Sequence, residues 1–248
     1  MNKSTKSPLF LIGESTESRI IKKIKELGFL PIILPSDKRL PLPTRSHADM
    51  LLFLIDTHVF CNRLYFQHNT DIFNCISNYG YTVVPCDFDV KDAYPYDVAL
   101  NQALIEKHIV GNQKYCAAEI LEYANKNGYS YLQAKQGYAK CSTLILNKKA
   151  IITADDSIIN TVKGLDLDAL KIQNGANEIT LCGYDYGFIG GASAVYNNTV
   201  YFFGNIQLHQ NGKEILSFCH KHGFSTVNLS EDRLTDLGGA FILPFLKN

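Results

Sequence analysis

The sequence predicts an α/β protein in which five copies of one helix-strand-strand-strand unit close into a ring, a five-bladed, pseudo-symmetric α/β-propeller. Three observations predict it. An apolar run that ends in a small residue and then a polar one recurs five times. Each recurrence is followed by helical periodicity and a glycine. The first and last strands of the chain both lack a partner, and pairing them closes the ring.

The recurring marker is Phe10-Leu11-Ile12-Gly13-Glu14, His58-Val59-Phe60-Cys61-Asn62, His108-Ile109-Val110-Gly111-Asn112, Ile151-Ile152-Thr153-Ala154-Asp155 and Tyr201-Phe202-Phe203-Gly204-Asn205, a spacing of 43 to 50 residues. A fixed period of that size is the signature of a repeat architecture. Apolar residues at helical spacing follow, as in Ile20, Ile21, Ile24 and Leu27, or Ala117, Ile120, Leu121 and Ala124, or Ile215, Phe218 and Cys219. The polar residue that ends each marker, or a neighbour of it (Ser15, Asn69, Asp156 or Asn211), is expected to cap the helix.

The helices end at glycine followed by an apolar residue: Gly28-Phe29, Gly80-Tyr81, Gly128-Tyr129 and Gly223-Phe224. Glycine there suits the left-handed conformation that closes many helices. In the fourth unit both Gly164 and Gly175 satisfy the pattern. A strand follows each glycine, at 30–34, 82–86, 130–134, 169–173 and 225–229. A hairpin then completes the unit, clearest where 143–146 turns at Asn147-Lys148 and where 194–196 turns at Asn197-Asn198.

The fifth unit stops at Gly239-Ala240-Phe241-Ile242-Leu243 with no hairpin partner, and residues 8–12 form a strand without a unit. Pairing 8–12 with about 239–244 removes both orphan edges. The expected organisation is one domain spanning 1–248, with units of about 14–61, 62–111, 112–154, 155–204 and 205–248 plus the strand 8–12.

Composition narrows the partners. The 248 residues carry 24 Lys+Arg against 24 Asp+Glu, a formal net charge of zero, with no run of like charges. Nothing in this balance asks for a nucleic-acid backbone or an anionic membrane as partner. The apolar run after the two lysines of residues 1–7 is too short for a signal peptide or a membrane span, so a cytoplasmic protein is expected. The seven cysteines include no C-x-x-C pair and read as reduced thiols, mostly filling cores. Cys219-His220-Lys221-His222 reads as a helix end carrying cations, and neither metal nor cofactor is expected.

The five repeats with this order of elements resemble the pentein superfamily, which includes arginine deiminases, amidinotransferases, dimethylarginine hydrolases and a non-enzymatic ribosome anti-association factor. Ser46 to Met50, Gly137 to Ser142 and Gly183 to Ser193 are similar to stretches of uncharacterised bacterial proteins with the guanidino-modifying fold. The resemblance covers nearly the whole chain. It implies a site at the central channel, lined by the residues that start each hairpin: 46–50, 96–98, 139–142, 189–193 and 236–240. It also implies a cysteine after the glycine-rich turn of the last unit and a histidine in the unit before. Here Ala240 and Phe241 follow Gly238-Gly239, and Gly191, Ala192 and Ser193 stand where the histidine is expected.

A different set of reactive residues is predicted to converge on the same place. Cys141 is the expected nucleophile, its thiol pKa lowered by the adjacent Lys140. His47 is the expected proton carrier and Asp49 its orienting carboxylate, on one face of a strand. Asp97, Lys140, Asp185, Tyr186, Ser193 and Asp236 complete the expected substrate-binding set. On this reading the protein is a cysteine-dependent hydrolase or transferase of a small amidine, guanidine or amide. The alternative is a non-catalytic binding protein for a small cationic metabolite or a macromolecular partner. A cysteine beside a strand is usually a small hydrophobe filling a core, and paired glycines serve the close packing of units around a narrow axis before they serve ligand approach. A ribosome-associated role has only the non-enzymatic pentein to recommend it, against the zero net charge.

Overall fold

The computed structural model describes residues 6–175 and 178–246. The outermost residues of the first and last predicted segments, 1–5 and 247–248, lie outside the described residues. The chain opens with strand β1 (Leu9–Gly13), helix α1 (Ser18–Glu26) and strand β2 (Leu30–Leu34). A one-turn helix α2 (Ala48–Leu51) leads into the hairpin β3 (Leu52–Ile55) and β4 (His58–Asn62). Helices α3 (Arg63–His68) and α4 (Thr70–Asn78) precede β5 (Thr82–Cys86). The hairpin β6 (Ala103–Ile105) and β7 (His108–Gly111) is followed by α5 (Ala118–Lys126) and β8 (Ser130–Gln133).

A second one-turn helix, α6 (Ala139–Ser142), leads into β9 (Thr143–Asn147) and β10 (Ala150–Thr153), then α7 (Asp156–Val162) and β11 (Asp168–Lys171). After the short strand β12 (Ile179–Thr180) come the hairpin β13 (Ser193–Tyr196) and β14 (Thr199–Phe202), helix α8 (Gly212–Lys221) and strand β15 (Ser225–Asn228). The chain finishes with β16 (Leu234–Thr235) and β17 (Phe241–Leu243).

Among the described residues these strands form five three-stranded sheets of one pattern, β17-β1-β2, β3-β4-β5, β6-β7-β8, β9-β10-β11 and β13-β14-β15. The strand bearing the sequence marker is the middle one each time. It pairs antiparallel with the strand on one side and parallel with the post-helix strand on the other. The helix between parallel neighbours is therefore a crossover connection. Each sheet straddles two of the units as counted from the marker, because hydrogen bonding joins a hairpin to the strand after the next helix. At the two ends of the chain, Leu9, Phe10 and Leu11 pair with Leu243, Ile242 and Phe241.

Burial explains why the marker strands are continuously apolar. All five residues of β1 and all four of β10 are buried, whereas the flanking β2, β5 and β15 are largely half-exposed. A middle strand covered on both faces does not alternate. Each helix turns its apolar stripe toward a neighbouring sheet: Ile20 and Ile24 of α1 share a core with Tyr201 and Phe203, and Ile120 and Ala124 of α5 share one with Phe53 and Phe60.

The helix ends test the glycine reading. Gly28, Gly80, Gly128 and Gly223 all have positive φ, between 71° and 96°. In the fourth unit α7 ends at Val162 and β11 begins at Asp168, so Gly164 occupies the closing position, without positive φ. The helix starts agree in part with the expected caps. The helix after Ser15 is capped at Glu17, and Ser15 receives a hydrogen bond from Ser46 instead. Asp155, the polar residue of the fourth marker, caps α7 and accepts from the Ile158 N–H. Asn62 caps the unforeseen α3, and Asn69 holds the expected capping position of α4, with its amide donating to the Tyr65 carbonyl. Asn211 holds the expected capping position of α8, but its Oδ1 accepts from Gln173. No helix among the described residues is long and apolar enough to cross a membrane.

Two expectations follow. Phe10, fully buried on β1, meets Phe29 and Tyr201 edge-on at 5.4 and 6.4 Å. Phe10→Ala should lower unfolding free energy by about 3–5 kcal/mol in urea titration, against less than about 0.5 kcal/mol for the exposed Leu42→Ala. The buried His209 accepts at Nδ1 from the Asn211 N–H, a bond that needs the neutral ring, and burial holds its pKa below the ordinary value. The unfolded chain therefore takes up this proton first on acidification. Stability carried by neutral His209 is complete above about pH 6.5 and lost as pH falls below it, so the slope of urea midpoint against pH should be shallower there in His209→Gln.

Candidate active site

Four turns meet at one end of the strands and are stitched together by main-chain hydrogen bonds. Asp49 N donates to Gly238 O at 3.1 Å, and Gly191 N donates to Cys141 O at 2.9 Å. The Gly191 carbonyl accepts from both Leu237 N and Gly239 N, at 3.0 and 2.7 Å. The parallel pair β12-β16 delivers the last turn, with Asp236 N donating to Thr180 O at 2.8 Å.

Glycine is needed at two of these contacts. A Cβ on Gly191 would overlap the Asp236 carboxylate, and one on Gly238, at φ +76°, would overlap the His47 side chain. The Gly190-Gly191 and Gly238-Gly239 pairs thus allow close packing, and what they pack against is the site itself.

A cavity of about 240 Å³ at this place is lined by His47, Cys141, Asp236, Asp185 and the aromatic rings of Tyr138, Tyr184, Tyr186 and Phe188, together with Thr44 and Leu181. Cys141, His47 and Asp236 are 2–3% exposed. Their donor atoms, one from each, lie within 4.8 Å of one another. The Cys141 thiol donates to Asp49 Oδ2 at 2.9 Å and accepts from Asn101 Nδ2 at 3.2 Å. His47 Nδ1 stands 3.7 Å from Asp236 Oδ1, beyond hydrogen-bond range, and has no hydrogen-bond partner. Asp236 is fixed from behind, Oδ2 accepting from Phe188 N at 2.8 Å and Oδ1 from Gly238 N at 2.9 Å.

The predicted residues separate into three groups. Cys141, His47, Asp185, Tyr186 and Asp236 line the cavity, with Asp49 directly behind Cys141. Asp97 does not line it: its Oδ2 accepts at 2.6 Å from the Tyr138 hydroxyl, and Tyr138 is the wall. Lys140 and Ser193 line a second cavity of about 300 Å³ together with Phe53, Gln102, Leu144 and Phe241, and the Ser193 hydroxyl is spent on the Ile189 carbonyl.

The expected strand geometry of His47 and Asp49 is also corrected. His47 is the N-cap residue of α2 and Asp49 lies within that helical turn, as Cys141 lies within α6.

The thiol electrostatics are the reverse of those expected from Lys140. Burial, then the negative charges of Asp49 and Asp236, push the Cys141 thiol well above its ordinary range. Burial also raises Asp49 to about 7, opposed by the positive charge of Lys140. The His47 imidazole is held below its usual value by burial, with Asp236 pulling the other way. At rest the site holds a protonated thiol beside a neutral imidazole and a carboxyl of unusually high proton affinity.

Asn101 was missed from sequence. It is fully buried, its Oδ1 accepts from Lys140 N and Cys141 N at 2.9 and 3.1 Å, and its Nδ2 reaches Met50 Sδ as well as Cys141 Sγ. The signal available was a polar pair, Asn101-Gln102, inside the otherwise apolar run 98–105. Tyr138, Tyr184 and Phe188 belong to the segments 136–138 and 183–188, which set aromatic residues beside glycines.

The fold is that of the guanidino-modifying pentein enzymes. The chain is similar to an amidinotransferase from Microseira wollei in the saxitoxin biosynthetic pathway, with TM-score 0.58 and 10% identity over 98% of this chain and 96% of that one. It is similar to a mutant dimethylarginine dimethylaminohydrolase of Pseudomonas aeruginosa complexed with citrulline, with TM-score 0.56 and 11% identity over 96% and 98%. A C. jejuni agmatine deiminase gives TM-score 0.53 and 8% identity over 91% and 88%. At these identities the likeness is one of fold. Residues 11–241 match the family of unknown function DUF6873, and the chain belongs to it. No curated protein sequence matches.

The glycine contacts give a direct check on how the site is held. Gly191→Ala should displace the Asp236 carboxylate and lower stability by about 1–3 kcal/mol, whereas Gly164→Ala, with open space around it, should stay within about 1 kcal/mol of the parent or gain stability. Denaturant titration of the two variants reads the difference.

Proposed function

We propose that the chain is a single-domain ring of five α/β blades whose cavity binds a small cationic amidine or guanidine, and that Cys141 attacks its central carbon in a hydrolase or transferase reaction. The observation that carries the reading is the Cys141 thiol, 2.9 Å from Asp49 Oδ2, at the wall of a cavity that also presents His47, Asp185, Asp236 and four aromatic rings. Carboxylates and ring faces without a lining Lys or Arg suit a planar cation. The enzymatic fold relatives act on amidino or guanidino compounds, which supports the same substrate class. Support for the ring comes from the second cavity, lined by residues of β3, β6, β9, β13 and β17, one strand from each three-stranded sheet, and from the β1-β17 pairing.

The chemistry follows from the contacts. A bound cation next to Cys141 offsets the buried negative charge that keeps the thiol protonated. The thiol proton passes to Asp49, sulfur bonds to the amidine carbon, and the C=N π electrons move onto nitrogen. The C–N bond then breaks as that nitrogen takes up a proton and leaves as ammonia or an amine. Water, or an acceptor amine in a transferase, adds to the thioester-like adduct while His47 takes its proton, and the C–S bond breaks to return the thiol.

One observation favours the second reading, a cation-binding protein without turnover: the resting thiol is buried and protonated. The two readings part on labelling by 2-chloroacetamidine, a cationic amidine, against the isosteric neutral 2-chloroacetamide. The enzyme reading expects Cys141 to be labelled by the cation at least about tenfold faster, the gain from one pK unit of thiol stabilisation, and expects Asp49→Asn to remove the advantage. Equal rates, or labelling confined to the exposed Cys182, would sink it.

A further inference from the structure

We infer that His47, Cys141 and Asp236 form a binding site for a zinc-type divalent transition ion, with the fourth coordination position open to the cavity. An imidazole nitrogen, a thiol sulfur and a carboxylate oxygen, contributed by three separate turns of the fold, lie within 4.8 Å of one another, and all three residues are buried. Donor atoms around a tetrahedral zinc stand roughly 3.5 Å apart, given bonds of about 2.0–2.3 Å, so modest inward movement of these side chains suffices. The mixed N, S and O set selects a borderline-soft ion of the zinc or cobalt kind over magnesium or calcium, which take oxygen alone.

Independent features point to a ligand at this spot. His47 Nδ1 is buried without a hydrogen-bond partner, an uncommon state for a polar atom in a folded interior. The other two donors are already oriented from behind: Asp236 by the N–H groups of Phe188 and Gly238, and Cys141 by the Asn101 amide. Supporting contacts of this kind fix the ligands of metal sites. Three protein ligands with an open position are the arrangement of zinc centres that bind a further small molecule, and all three residues line the cavity.

Binding replaces the S–H bond of Cys141 with an S–metal bond and releases one proton, and the two anionic donors neutralise the ion's charge. A sulfur so bound cannot also attack a substrate carbon, so metal and thiol chemistry are alternative uses of the same atom.

The test uses full-length protein freed of metal by a chelator and titrated with Co²⁺. One cobalt per chain with a sulfur-to-cobalt charge-transfer band in the near ultraviolet is expected, displaced stoichiometrically by Zn²⁺. Cys141→Ser should abolish the band, and His47→Ala and Asp236→Asn should each weaken binding at least about tenfold, with circular dichroism verifying that the variants fold. Asn101→Ala, which leaves every donor in place, should weaken binding about 10- to 100-fold. Absence of a stoichiometric cobalt complex, or a charge-transfer band that survives Cys141→Ser, overturns the site. Chloroacetamidine labelling of the metal-free protein separates this result from the preceding one. Labelling without metal binding overturns the metal site alone, and metal binding without labelling supports the site and counts against the thiol reaction.

Discussion

Gly191 is the pin on which the site turns. Its N–H is held by the Cys141 carbonyl, and its own carbonyl takes the N–H groups of both Leu237 and Gly239. Three turns that lie far apart in the chain are thereby fixed to within a hydrogen bond of one another, and the missing Cβ leaves the space in which the Asp236 carboxylate sits. Main-chain bonds of this kind do not depend on which side chains the turns carry. They set the place, and the side chains at that place set the chemistry.

The sheets were legible in the sequence because burial wrote them there. A middle strand covered on both faces must be apolar throughout, so the five marker strands stand out from the surrounding text. The closing glycines were legible for a similar reason, since positive φ restricts the residue at Gly28, Gly80, Gly128 and Gly223. The pairing of 9–11 with 241–243 followed from counting unpartnered strands. The one-turn helices α2 and α6 and the two-residue pair β12-β16 left no such trace, because elements this short contain less than one period of any pattern.

The site was half legible. The residues that converge were found by their position before each hairpin, but the sign of the field at Cys141 was not, because charge acts through space and the sequence displays only neighbours along the chain. Lys140 is adjacent to Cys141 in sequence and lines the other cavity, while Asp49, distant in sequence, accepts a hydrogen bond from the thiol at 2.9 Å. The carboxylate of Asp97 went the same way. It supports the hydroxyl of Tyr138 and leaves the ring to face the cavity.

The helices α2 and α6 read Ala48-Asp49-Met50-Leu51 and Ala139-Lys140-Cys141-Ser142, each at the entrance to a hairpin. Met50 and Cys141 hold the same third place, and the single amide of Asn101 touches both sulfur atoms. Asp49 and Lys140 hold the same second place with opposite charge. Two turns of like backbone thus present the same places with different chemistry, one with a thioether and a carboxylate, the other with a thiol and an ammonium.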